Sequence, residues 1–223
     1  MSETIGLTAA DGHQLSAYRV DPKGKPCGGI VIAQEIFGVN HHIRGIADGF
    51  AADGFAVAAP ALFDRTQRGV ELGYQDADIA AGRDLRMKIT WDQVTADIAA
   101  AAAALKGVGK LGIVGYCWGG SVAWLGATRL SSFSAAVCYY GGQIAALAEE
   151  KPRCPVMMHF GETDHAIPLT DVDKVRAMQK GAVEIHIYPA GHGFNCDERG
   201  SFDADCAKTA RKRTLDLLRR HVG

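Results

Sequence analysis

The chain has 223 residues, 48% of them hydrophobic and 22% charged, with a formal net charge of -1. That length suits one well-buried α/β domain and is short for two, and the balanced charge offers nothing to nucleic acid or to an anionic membrane. The polar opening MSETIGLTAADGHQ and the lack of a long apolar run predict a cytoplasmic protein with neither signal peptide nor membrane span.

In chain order, residues 4–7 and 14–20, separated by Ala10-Asp11-Gly12, read as two antiparallel strands joined by a turn. After a linker over 21–26, GGIVIA at 28–33 is a continuous apolar run fit for a central strand buried on both faces. Gln34-Glu35-Ile36-Phe37-Gly38-Val39-Asn40 follows, then a helix over about 42–52 and an apolar strand over 55–59 stopped by Pro60. Residues 61–74 are polar, contain glycine and lack periodicity, which predicts a surface excursion. Helices are expected over 76–88 and 91–105, the second carrying an alanine run with Asp92 and Asp97 near its positive end. Further strands are expected near 111–114, 135–140, 156–160 and 183–188, with a helix over 169–179 and a basic-ended amphipathic helix from 203 onward. Strands alternating with helices predict the α/β class, a mostly parallel sheet with helices on both faces, in one domain over 1–223. Ligands then belong outside the carboxyl ends of the strands.

One strand end stands out. In KLGIVGYCWGGSVAWLG the apolar strand runs into glycines around Cys117 and then into a helical pattern, which is the G-x-S-x-G nucleophile elbow with Cys in place of Ser. A buried structural thiol at a tight turn is the bland alternative. Two later strand ends carry Glu162-Thr163-Asp164-His165 and Gly191-His192-Gly193, so nucleophile, acid and base occur in the order Cys117, Asp164, His192. A thiol needs a base, and the base an orienting carboxylate. The alternatives are that Asp164 only caps the helix near Pro168, that one of the rival carboxylates Glu162 and Asp171 is the acid, and that His192 is a structural hydrogen-bonder. The oxyanion hole is expected from the Trp118 N–H after the nucleophile and the Ile36 N–H of an earlier strand end. Glu35 beside that donor is either a solvent-facing charge or a partner for the Cys117 thiol. His41-His42 does not read as a metal pair, because adjacent helical side chains point apart. Six cysteines without CxxC or zinc-ligand spacing predict reduced thiols and no metal.

Together QEIFGVNHHIR, APALFDR, GYCWGG, HFGETDHAIP and PAGHGF resemble the dienelactone hydrolase (carboxymethylenebutenolidase) family of the α/β-hydrolase superfamily, over nearly the whole chain. The resemblance implies an α/β-hydrolase fold and a cofactor-free hydrolase with Cys117, Asp164 and His192 as its triad. It also implies that Glu35 contacts the resting thiol and leaves it when substrate arrives, and that Ile36 and Trp118 amides hold the oxyanion. Members acting on dienelactone are expected to clamp its carboxylate with two arginines, one shortly after the catalytic histidine. Here Cys196 occupies that stretch and Arg199 lies further on, with Arg83 or Arg86 as the second. Tyr74, Trp118 and Phe37 are the expected aromatic lining.

The sequence therefore predicts a thiol-dependent carboxylic-ester hydrolase acting on a small lactone or ester, a monomer or small homo-oligomer without nucleic-acid or membrane partners. The alternative is a catalytically silent α/β-hydrolase fold used for ligand or partner binding. A redox thiol protein is a third reading, disfavoured because no resolving cysteine lies near Cys117 in sequence.

Overall fold

A computed structural model describes residues 2–223, so only Met1 of the expected 1–223 domain and of the polar opening lies outside the described residues. The strands are β1 (Ser2–Thr8), β2 (Gln14–Val20), β3 (Gly28–Ala33), β4 (Phe55–Pro60), β5 (Leu111–Tyr116), β6 (Phe133–Tyr139), β7 (Val156–Gly161) and β8 (Val183–Tyr188). The helices are α1 (His41–Ala52), α2 (Asp76–Met87), α3 (Trp91–Ala104), α4 (Trp118–Arg129), α5 (Leu169–Gln179) and α6 (Ala204–His221). All eight strands join one sheet in the order β1-β2-β4-β3-β5-β6-β7-β8. The β1–β2 hairpin is antiparallel and β2 pairs antiparallel with β4, while every pairing from β4 to β8 is parallel. This is the α/β architecture expected from the alternating pattern.

The two faces can be read from β5, whose successive residues point to opposite sides. Gly112 faces the side chain of Leu218 in α6, and its neighbour Ile113 reaches Gly126 in α4. Helices therefore cover both faces, and β3 and β4 between them are buried at every position. That double burial is why both strands are continuous apolar runs rather than alternating ones.

Residues 61–74 are not a loose excursion. Leu62–Arg65 forms one 3-10 turn with Leu62 and Phe63 buried. Arg65 donates from Nε and Nη2 to the two oxygens of Asp97 at 2.9 and 2.7 Å. Asp97 is fully buried in α3, so the carboxylate expected to serve the helix dipole instead holds Arg65. Further on, Leu72 donates its N–H to Phe37 O at 2.9 Å, and Gly38 pairs with Glu71 as an isolated bridge. The segment is thereby tied to the strand end that carries Glu35.

Candidate active site

The elbow forms because β5 and α4 approach too closely for side chains. A β-carbon on Gly115 would lie 1.8 Å from Gly119 O, and one on Gly119 would lie 2.1 Å from Ala33 O. Cys117 sits between them at φ 55, ψ -120, a conformation that non-glycine residues rarely adopt. The helix begins directly at Trp118 and takes Gly119 and Gly120 into its first turn, because these glycines serve close packing rather than a loop. Cys117 thus stands at the N-terminus of α4, where the helix dipole favours negative charge.

His192 lies between the other two groups. Its Nε2 is 3.2 Å from Cys117 Sγ and its Nδ1 is 2.8 Å from Asp164 Oδ2. Asp164 is 5% exposed. Its Oδ1 accepts from the N–H groups of Ala166 and Ile167 at 2.8 and 3.2 Å. It therefore holds its own turn and contacts the imidazole at once, but it does not cap α5, whose N-cap is Pro168 without a side-chain hydrogen bond. The rival Asp171 lies in the first turn of α5, and Glu162 is exposed. The histidine loop is anchored by Phe194, fully buried against Tyr140 and Tyr188, and by Ser201 Oγ donating to His192 O at 2.7 Å.

Burial draws the His192 imidazole pKa down, but the facing Cys117 sulfur and the Asp164 hydrogen bond outweigh it and raise it to about 10. That balance favours the imidazolium form of His192.

Cys117 and His192 open onto a cleft of about 530 Å³. Ile36 and Trp118 line it beside them. Neither residue's backbone N–H has a hydrogen-bond acceptor among the described residues. Trp118 is stacked on Phe63, with ring centroids 5.4 Å apart. Phe37, Arg83 and Arg199 also line the cleft as expected. So does Arg86, whose guanidinium pKa burial lowers and the Cys117 sulfur partly restores. One wall is the α2 face Ile79, Arg83 and Met87, spaced by single helical turns.

Two expected contacts lie elsewhere. Tyr74 is behind the cleft, its hydroxyl 3.4 Å from Glu35 Oε2 and 3.1 Å from Asn40 Nδ2. Glu35 is fully buried, with Arg199 Nη1 3.6 Å from its Oε1. Among the described residues the Cys117 thiol meets His192 and not Glu35, which is the His-held arrangement. Sequence reasoning missed Tyr140, whose ring lies 5.1 Å from that of His192. It follows β6 directly and had been read as part of that strand, although the Gly141-Gly142 pair after it marks a fifth strand end.

The dienelactone hydrolase family model matches residues 15–222. The chain belongs to the dienelactone hydrolase family. Among relatives, it is 31% identical to a carboxymethylenebutenolidase of Pseudomonas putida, over 98% of this chain and 96% of that one. It is 34% identical to a Methylorubrum extorquens protein named "Putative carboxymethylenebutenolidase", over 93% of this chain and 77% of that one. Among solved structures, one named "Putative Dienelactone Hydrolase" from Klebsiella pneumoniae superposes with a TM-score of 0.85 at 29% identity, over 98% of this chain and 100% of that one. A Pyrococcus furiosus esterase shares the fold alone, with a TM-score of 0.76 at 14% identity over 100% of this chain and 93% of that one. The chain is a hydrolase of this family, with an α/β-hydrolase fold. No described helix is long and apolar enough to cross a membrane.

Proposed function

We propose that this dienelactone hydrolase family member is a single-domain, thiol-dependent carboxylic-ester hydrolase that opens small lactones or esters. The observation carrying this reading is the bridging position of His192, 3.2 Å from Cys117 Sγ on one side and 2.8 Å from Asp164 Oδ2 on the other.

In this scheme the Cys117 thiol proton passes to His192 Nε2, and Asp164 holds the Nδ1–H tautomer and balances the imidazolium. The thiolate attacks the ester carbonyl carbon, and the Ile36 and Trp118 N–H groups receive the developing oxyanion. Collapse breaks the ester C–O bond, leaving an acyl thioester on Cys117 and an enolate or alkoxide that takes the proton from His192 Nε2, which returns the imidazole to its neutral form. Water, giving its proton to His192, then hydrolyses the thioester and restores the thiol. Arg83, Arg86 and Arg199 on the cleft wall suit a substrate that also carries a carboxylate. Glu35, held by Arg199, is positioned to sense such a carboxylate through competition for that arginine.

The test is turnover of p-nitrophenyl acetate with mass spectrometry of quenched enzyme. An acetyl group on Cys117 is expected. Turnover undiminished in both Cys117→Ala and His192→Ala would sink the reading.

A further inference from the structure

Behind the cleft, three segments bring together a buried donor set outside the proposed triad. Glu35 follows β3, His42 stands in the first turn of α1, and Cys196 lies in the loop after the histidine turn. One ligand atom from each lies within 4.8 Å of the others, and all three residues are buried.

Two of the three residues carry a buried polar atom without a hydrogen bond, although Glu35 Oε1 also faces Arg199 Nη1 at 3.6 Å. Glu35 Oε1 and His42 Nε2 have no hydrogen-bond partner, although Glu35 is 0% and His42 is 6% exposed. A buried polar atom without a partner carries a desolvation penalty of about 1–3 kcal/mol, so its presence calls for an explanation. His42 supplies a direction as well. Its Nδ1 lies 3.1 Å from the carboxylate of Asp197, an acceptor that suits the Nδ1–H tautomer, in which Nε2 offers its lone pair to a cation. A carboxylate behind the imidazole is the usual outer partner of a metal-binding histidine. His41 is 90% exposed with its Nδ1 3.0 Å from Glu198 Oε1, so only His42 joins the buried cluster.

We propose that Glu35, His42 and Cys196 bind a thiophilic divalent cation of the Zn²⁺ class. Imidazole, thiolate and carboxylate are the ligand types zinc accepts, and a tetrahedral site holds ligand atoms about 3.5 Å apart, inside the 4.8 Å limit within which these three lie. The cation displaces the Cys196 thiol proton to solvent, and two anionic ligands then neutralise its charge inside the protein. A groove of about 490 Å³ lined by His41, His42, Asp197 and Glu198 gives a route from solvent. Arg199, 3.6 Å from Glu35 Oε1, is the positive charge the cation replaces. No sequence spacing signals the site, because its ligands come from three separate segments.

The probe is Co²⁺ or Zn²⁺ added to the whole chain after iodoacetamide has blocked the accessible thiols, Cys117 among them, leaving buried Cys196 free. One equivalent should bind, with a thiolate-to-cobalt charge-transfer band that Cys196→Ser abolishes. Asp197→Ala, at an exposed position, should weaken Zn²⁺ binding roughly 10–100-fold. Absence of stoichiometric binding, or a band that vanishes when Cys117 is blocked, would overturn the proposal and place any metal on the Cys117–His192 pair. Should Cys196→Ser fail to fold, the blocked natural protein and Asp197→Ala still decide.

Discussion

Gly82 of α2 rests on the carbonyl of Ile36: a β-carbon built on Gly82 would lie 2.0 Å from Ile36 O. The contact is backbone against backbone and neither side has a flexible tip to give way. It sets the distance between the α2 wall and the strand end that carries Ile36.

Gly82→Ala should therefore move α2 and the Ile36 peptide together. We expect a destabilisation of about 1–3 kcal/mol. If the Ile36 amide receives the oxyanion, kcat for p-nitrophenyl acetate should fall at least tenfold, within the roughly 10²–10³ that losing such a donor costs. Thermal melts and steady-state kinetics on the same variant separate the two effects.

Asp164→Asn distinguishes the two duties of Asp164. The amide oxygen can still accept from Ala166 and Ile167, so the turn and the melting temperature should change little. The amide nitrogen facing His192 Nδ1 forces the wrong tautomer, and kcat should drop by roughly 10⁴ by analogy with serine triads. A drop below tenfold would count against the orienting role.

The raised His192 pKa has a pH signature. Its folded value of about 10 lies above the ordinary 6.5, so its contribution to stability is complete below about pH 6.5 and is lost as pH rises toward 10. Chemical denaturation of the natural protein and of His192→Ala should thus diverge most at pH 6 and converge by pH 10. In Cys117→Ala the facing sulfur is gone, and the imidazole should titrate at lower pH by NMR.

Arg86→Gln tests the carboxylate preference. Arg86 is half-buried and stacks over the Trp91 ring at 5.4 Å, which fixes its direction. KM for carboxylate-bearing lactones should rise about tenfold, a loss of roughly 1.4 kcal/mol, while neutral esters are unaffected. An equal effect on both would assign Arg86 to structure alone.

Removing Asp97 should be costly far from the cleft. Asp97→Ala leaves the Arg65 guanidinium, which is 6% exposed, with Asp11 as its one remaining carboxylate, and we expect about 1.5–3 kcal/mol of lost stability by denaturant titration.

The strands and the order Cys117, Asp164, His192 were legible because doubly buried strands leave apolar runs and parallel sheets gather chemistry at strand ends. Three features were not. Gly119 and Gly120 read as loop residues although they lie inside α4, because sequence does not report that a carbonyl stands where a β-carbon would be. Asp97 looked like a dipole charge, since its partner Arg65 lies in a segment without periodicity. Tyr74 was taken for lining, and only the tertiary arrangement shows that Glu35 and Asn40 draw its hydroxyl behind the wall.

The left-handed backbone of Cys117 has an outcome for engineering. Conformational strain of about 1–3 kcal/mol is concentrated on the proposed nucleophile, and glycine would relieve it. A library ranked on thermal tolerance alone should consequently enrich Cys117→Gly, discarding the reactive sulfur while improving the scaffold. Selection on melting temperature and selection on turnover pull in opposite directions at this one position.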